Sequence, residues 1–351
     1  MCGVQGKDER SVKQISGKIT FDSYDCPEDR LITARSHLVD RFVPDCERIM
    51  LPAKQVDGGS VSFKKNTLVA QPPHRPKRRF LSFRPARLEQ QRTEKTFIDF
   101  RRNVPQNWAH FLNNHLPILF VIAQQGGFDP SEILVVLPGN TPGHIRCAAE
   151  LFGVETLCTD AEVQGGAIDF DVSPWTGIRA IRSEWVRLLF VEVALEMAGI
   201  RDGAQGALPD KVFISRRKTR HLENEAAVES FLVQRGFTKV YPEELSVTDQ
   251  FKLFEQAQQI VSIHGAALAP LLYRSRASRL ESLIELFPCG HMTDVYRVMC
   301  HQVGCKWIGV RGKIKSEHVG PAYDLTKPFL NYSLQSFEID LKSLELAMEM
   351  I

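Results

Sequence analysis

Apolar and polar positions alternate regularly through the second half of the chain. Short apolar runs at 212–215, 238–241, 259–263, 282–287 and 306–310 are separated by turn and polar residues. Runs of this length read as strands buried on both faces. Between them lie segments of helical period: 221–235 ending at Gly236, 248–258 with Thr248 as cap, 266–273, and 294–303 ending at Gly304. Strand, helix and strand in strict succession predict a doubly wound parallel sheet.

The first half carries a weaker version of the same pattern. Strands are predicted at 48–51 and 96–100, and a buried parallel strand at 132–137 between Pro130 and Pro138. The apolar segment 107–125 stops at Gly126-Gly127 and suits a helix. Thr141 and Pro142 open another helix to about Phe152, as cap and first helical residue. A helix is expected at 183–198. The Gly-, Ala- and Pro-rich stretch 202–209 is the best linker, and an amphipathic tail helix closes the chain at 336–350. Two α/β domains of 1–182 and 183–320, with a tail at 321–351, fit a length of 351 residues.

Composition narrows the function classes. Hydrophobic residues at 43% and charged residues at 25% are ordinary for a globular chain. A net charge of +2 gives no general reason to expect nucleic acid as a partner. The opening residues lack an apolar stretch, so no signal peptide is expected. No apolar run approaches the roughly 20 residues that span a bilayer. Charge is local instead: 58–88 has no acidic residue, eight lysines and arginines and four prolines. It reads as a loop or hairpin, either solvated or touching an anionic acceptor or a membrane surface.

The eight cysteines are scattered and read as buried apolar residues in a reducing compartment. Cys300, His301 and Cys305 lack a fourth ligand at zinc-like spacing. Asp169-Phe170-Asp171 fits a cation-binding DxD pattern, but about one such triplet arises by chance in this length. No metal site is therefore expected.

In an open parallel sheet, ligands bind beyond the carboxyl ends of the strands. Two such ends are chemically loaded. One runs into Ser215-Arg216-Arg217-Lys218, and the other into His264-Gly265-Ala266-Ala267. A glycine permits close approach of a ligand, and the free amides opening the next helix attract anions. Arginines from the neighbouring strand end would complete a diphosphate clamp. The same residues also suit a tight turn beside a solvated basic loop. Glu285 ends another apolar strand and must be paired there, by a ribose diol or by an arginine.

These residues fall in a longer pattern. Ser215-Arg216-Arg217, Arg220, Asn224-Glu225, Gly236-Phe237, Pro242-Glu243-Glu244-Leu245, Gln250, Ala257, His264-Gly265-Ala266, Leu268 and Glu285-Leu286-Phe287-Pro288 occur in order over 213–288. This stretch resembles the core of glycosyltransferase family 61, of the type that builds bacterial capsular polysaccharides. A weaker match, His110 to Pro117, resembles the family's HW..D.LP segment. Two positions depart from the pattern. Asn114 stands where many members have Asp, and Pro270 where the family usually has Asn.

The resemblance implies a GT-B fold, two Rossmann-like domains facing a cleft, with the acceptor on the N-terminal side. It implies inverting transfer of a hexosyl or pentosyl group without a metal or other cofactor, from a nucleotide-sugar, a UDP-sugar first, to a polysaccharide, lipid-linked or other glycan. Ser215, Arg216, Arg217, Asn224, Glu225, Pro242, Glu243, His264, Gly265, Ala266, Ala267 and Glu285 would form the donor site, with Asn224 and Glu225 also suited to holding Arg216 or Arg220. His110, Asn114 and His115 would face the acceptor. His110 is the first candidate for general base, and His264 is the second catalytic candidate. A Golgi enzyme would carry an anchor, so a cytoplasmic protein is expected, with any contact at the inner membrane face peripheral. Two rival readings remain: a nucleotide-sugar-binding module that has lost catalysis, and another GT-B enzyme such as an epimerase.

Overall fold

The computed structural model describes residues 16–34, 46–70, 90–173, 181–182, 208–275, 278–314 and 333–351. The expected helix at 183–198, most of the linker, and the basic residues from Arg75 to Arg87 lie outside them. The first half contributes β1 (Ser16–Phe21), β2 (Tyr24–Cys26), β3 (Asp29–Ala34), β4 (Cys46–Leu51), β5 (Lys54–Val56), β6 (Gly59–Ala70), β7 (Gln90–Arg92), β8 (Thr96–Asp99), β9 (Ile133–Leu137), β10 (Glu155–Cys158) and β11 (Glu162–Ser173). The second half contributes β12 (Lys211–Ile214), β13 (Thr238–Val240), β14 (Gln259–Ile263), β15 (Ser282–Phe287) and β16 (Lys306–Arg311).

The second sheet runs β13-β12-β14-β15-β16-β3-β4. Its first five strands are parallel, as the apolar runs predicted. Alternate residues serve opposite faces: Val212, Ile260 and Leu283 pack into one core, and Phe213, Val261 and Ile284 into another. Strands β3 and β4, early in the sequence, extend this sheet, β3 parallel to β16 and β4 antiparallel at the edge. The two sheets therefore do not divide at one point of the chain.

The first sheet, ordered β1-β6-β11-β8-β9-β10 with β7 beside β11, is mixed rather than doubly wound. β8, β9 and β10 are parallel, but β1, β6 and β11 pair antiparallel. β6 and β11 are 12 residues each. β11 is covered on both faces at Val163, Ala167 and Ile168, and only from Asp169 to Ser173 does it expose alternate residues, as an antiparallel ribbon wet on one face does. Part of the basic stretch is thus strand: Lys64 lies on β6 across from Asp169 of the DxD triplet, 3.9 Å away.

Helices follow the predicted order: α1 (Trp108–His110), a π turn (Phe111–His115), α2 (Leu116–Gly126), α3 (Gly143–Leu151), α4 (Glu225–Val233), α5 (Val247–Gln256), α6 (Val295–Gln302) and α7 (Leu341–Met348). Residues 266–273 form a 3-10 helix, where Pro270 has no N–H to donate. Among the described residues no helix is long and apolar enough to cross a membrane. One core runs from the first half into the second. Phe152 of the first packs against Phe251 and Tyr273 of the second, with ring centroids 5.4 and 5.3 Å apart. The Tyr273 hydroxyl donates to the Leu112 carbonyl.

Candidate functional site

β12, β13, β14, β15 and β16 stand in the order 2-1-3-4-5, so the strand order reverses between β12 and β14. A crevice at such a reversal, beyond the carboxyl ends, is where open sheets bind ligands. A cavity of about 460 Å³ opens there. His264, Gly265 and Ala266 line it from the end of β14, and Arg220 from the loop after β12. His110, Asn113 and Asn114 line it from the helix that starts at α1, with Arg182 beside them. Residues predicted in separate halves thus meet.

The loop after β12 delivers two guanidinium groups to one turn. Arg216 donates to the His264 carbonyl at 3.1 Å and to Thr219 at 3.1 Å. Arg220 reaches the same carbonyl at 3.4 Å and the Ser333 carbonyl at 2.6 Å. Arg220 holds φ at 59°, an uncommon conformation for a side-chain-bearing residue. Burial presses Arg216 below the usual arginine range, and burial with the Arg216 charge does the same to Arg220. Both remain cations at neutral pH. Among the described residues neither is hydrogen-bonded to a carboxylate, although the Glu243 charge acts on Arg216 and the Glu285 charge on Arg220, so a partly desolvated pair of cations faces the turn.

Gly265 explains how they fit. Its backbone is extended, so the glycine is not needed for a left-handed turn. A Cβ there would lie 2.1 Å from the Arg216 guanidinium. The glycine leaves room for the arginine. Ala266 and Ala267 then open the 3-10 helix, and its first amides have no acceptor within the helix.

Glu285 departs from the sequence reading. Its residue is 0% exposed. One carboxylate oxygen is 2.5 Å from His264 Nδ1, and the other accepts from Trp307 Nε1 at 2.8 Å. Both oxygens are engaged inside the sheet, so a ribose diol has no access to them. His264 stacks on Phe287 and lies near His291 and Tyr296. Burial, then the charges of Arg220 and His264, lower His291 to about 4.

Other predicted donor residues serve the frame. Ser215 donates to Glu225 at 2.5 Å, and Tyr241 donates to the same carboxylate oxygen. Asn224 exchanges two bonds with the backbone of Ile339 ahead of α7. Neither Asn224 nor Glu225 touches Arg216 or Arg220 among the contacts seen. Arg217 turns away from the cavity, stacking on Tyr241 at 3.8 Å and pairing with Glu244. Pro242 accepts from Gln250 through its carbonyl, and Glu243 is exposed. None of these lines the cavity; Ser215, Arg217 and Glu225 instead join Tyr241 and Glu244 across the loops after β12 and β13.

On the opposite wall, Asn107 caps α1 by accepting from the amides of Ala109 and His110. His110 faces the cavity mouth, where desolvation and then the Arg182 charge hold its imidazole below the usual value. Asn114 reaches His110 Nδ1 at 3.2 Å and accepts from Arg182. His115 does not line the cavity. It is buried, with its ring nitrogens against the carbonyls of His110 and Arg102, and ties the helix to the preceding loop.

Sequence reasoning missed Arg182, Asn113, Thr293, Tyr296 and Trp307. Only tertiary contact marks them, since an isolated arginine or tyrosine in a helical segment carries no local signal. Among the described residues the oxygens Asn113 Oδ1 and Thr293 Oγ1 are buried without a hydrogen-bond partner. Metal-ligating types meet elsewhere. Cys26, Asp29 and His301 place ligand atoms within 4.8 Å of one another. Asp29 there already accepts from Arg297 at 2.7 Å and contacts His301 at 2.6 Å, which is a buried ion-pair network. Cys300 and Cys305 are buried, but they are not in that group.

A family model described as Glycosyltransferase 61 matches residues 36–280, more than half of the chain. No curated protein matches it.

Proposed function

Because the chain belongs to glycosyltransferase family 61 and is thus a glycosyltransferase, we propose that it moves a sugar from a nucleotide-sugar to a glycan acceptor across the cavity at the β12–β14 reversal. The observation that carries this reading is the pair Arg216 and Arg220, converging on the turn at Gly265 with no carboxylate hydrogen-bonded to either among the described residues. A nucleoside diphosphate supplies the missing anion. The amides of Ala266 and Ala267 add to its binding, and the arginines stabilise the charge that grows on it as the sugar leaves. That arrangement does the work for which other transferases use a cation, so the reaction is metal-independent.

Asn113 Oδ1 and Thr293 Oγ1 suit sugar hydroxyls, since buried acceptors left bare are costly. The helix carrying His110 forms the acceptor wall of a GT-B cleft, and inversion follows from a single displacement. A UDP-sugar is the first donor to try, with a polysaccharide or lipid-linked glycan at the inner membrane face as acceptor.

The test is calorimetric titration of UDP in excess chelator. Wild-type protein is expected to bind, and Arg216→Ala to lose about 2 kcal/mol or more, the scale of a charge-assisted hydrogen bond. Equal affinity for the two proteins would remove the diphosphate from this turn. A strict metal requirement would return attention to Asp169 and Asp171.

A further inference from the structure

Two histidines face the cavity, and each has its Nδ1 tied to a two-link relay. The relays are alike in form and opposite in effect. Behind His264, Trp307 Nε1 donates to one oxygen of Glu285 at 2.8 Å, and the other oxygen meets His264 Nδ1 at 2.5 Å. Behind His110, Arg182 donates to Asn114 Oδ1, and Asn114 Nδ2 meets His110 Nδ1 at 3.2 Å. Tryptophan and arginine end the two relays, and both are donors only. They fix which atoms of the middle residue face outward.

The middle residues then decide the outcome. A carboxylate accepts at both ends, so Glu285 takes a hydrogen from His264 Nδ1 and leaves a lone pair on Nε2. An amide accepts with its oxygen and donates with its nitrogen. With Asn114 Oδ1 held by Arg182, the NH2 group must face His110, and Nδ1 must accept. Neutral His110 therefore carries its hydrogen on Nε2. Asn114 is buried and Arg182 also donates to the Asn113 carbonyl at 2.8 Å, so the amide is not free to turn over.

We infer that His264, not His110, takes the proton from the acceptor hydroxyl, and that Glu285 and Trp307 are its positioning residues. Arg182 and Asn114 position His110 as an N–H donor to a substrate oxygen. This rests on the glycosyl-transfer reading above. In the step, the acceptor oxygen bonds to the anomeric carbon and the bond from that carbon to the phosphate oxygen breaks. The electron pair leaves with the nucleoside diphosphate. The hydroxyl proton moves to His264 Nε2, and the imidazolium faces the Glu285 carboxylate. This reverses the order expected from sequence, where His110 came first.

The relays also show how to exchange the roles. Glu285→Gln keeps its oxygen on Trp307 and turns an amide NH2 toward His264, so the histidine loses its Nε2 lone pair. Asn114→Asp gives His110 a carboxylate and frees its Nε2. Both tautomers are read directly from 15N shifts of histidine-labelled protein. Wild type is expected to show Nδ1–H on His264 and Nε2–H on His110, each reversed in its own variant. UDP release from a panel of UDP-sugars, with water as acceptor, is expected to fall at least about 100-fold in kcat for Glu285→Gln, the usual scale of acid–base catalysis. KM is expected to hold within about threefold, and adding Asn114→Asp to recover at least about tenfold.

A wild-type His110 bearing Nδ1–H, or an undiminished kcat in folded Glu285→Gln, overturns the assignment. If Glu285→Gln does not fold, the wild-type and Asn114→Asp spectra decide. Failure of wild-type protein to bind UDP overturns the glycosyl-transfer reading instead, and the spectra separate the two.

Discussion

Gly265 and Arg216 illustrate how one residue can be legible for the wrong reason. The sequence marks the glycine for a tight turn or the close approach of a ligand, whereas the structure uses it as empty space beneath a guanidinium. The distinction is testable. Gly265→Ala is expected to displace Arg216 and cost roughly 1–2 kcal/mol of UDP affinity, the worth of a weakened charged hydrogen bond, with little change in stability. Gly304→Ala is expected to do the reverse. Its φ of 70° is strained for alanine, so about 1 kcal/mol of stability is lost and binding is kept. Calorimetry and urea midpoints on the two variants separate space from strain. Glu285 was legible as a residue needing a partner, but not which one. Burial of both oxygens against His264 and Trp307 depends on the packing of β14, β15 and β16.

Elements were more readable than their ends. β12, β14, β15 and β16 begin and end within a residue of the apolar runs, because a strand covered on both faces writes itself as a continuous apolar segment. Caps shift by more. α5 is capped by Ser246, whose hydroxyl accepts from the Asp249 amide at 3.0 Å, and not by Thr248. The cap depends on where the preceding turn at Pro242–Glu244 releases the chain, which the local residues around Thr248 do not show. Ser246→Ala is expected to cost about 1 kcal/mol, and Thr248→Ala less than about 0.5 kcal/mol, in urea unfolding. Likewise Pro142 occupies the N-cap position of α3 without a side-chain capping bond, while the Thr141 hydroxyl donates to the Pro138 carbonyl. The π turn between α1 and α2 has no sequence signature. It carries Asn113 and Asn114, and such turns often mark functional positions.

At the scale of the whole molecule, the cavity exists because two sheets share one core. Phe152, Phe251 and Tyr273 form a ring cluster across the halves, and Trp108 joins it 6.2 Å from Phe251. This brings the helix of His110 over the turn of His264. Phe251→Ala is expected to cost about 3–5 kcal/mol, as for a large side chain removed from a core. Tryptophan fluorescence and far-UV circular dichroism are expected to follow a single coincident urea transition, since the halves share apolar burial. Two separated transitions in wild-type protein would mean that the cluster couples the halves weakly.

The amino-acid sequence alone made legible that the strands of the second half run parallel, which strand ends carry Arg216 and His264, and the family pattern around them. Those features are local: apolar runs, glycine and the basic residues that follow a strand. Long-range packing set the rest: the first sheet is mixed, β3 and β4 join the second, and Arg217, Asn224 and Glu225 face the frame. It alone set Arg182 behind Asn114 and Trp307 behind Glu285. The proton position on His110 follows from the distant donor Arg182 and that on His264 from the distant carboxylate of Glu285, so no reading of nearby residues could assign them.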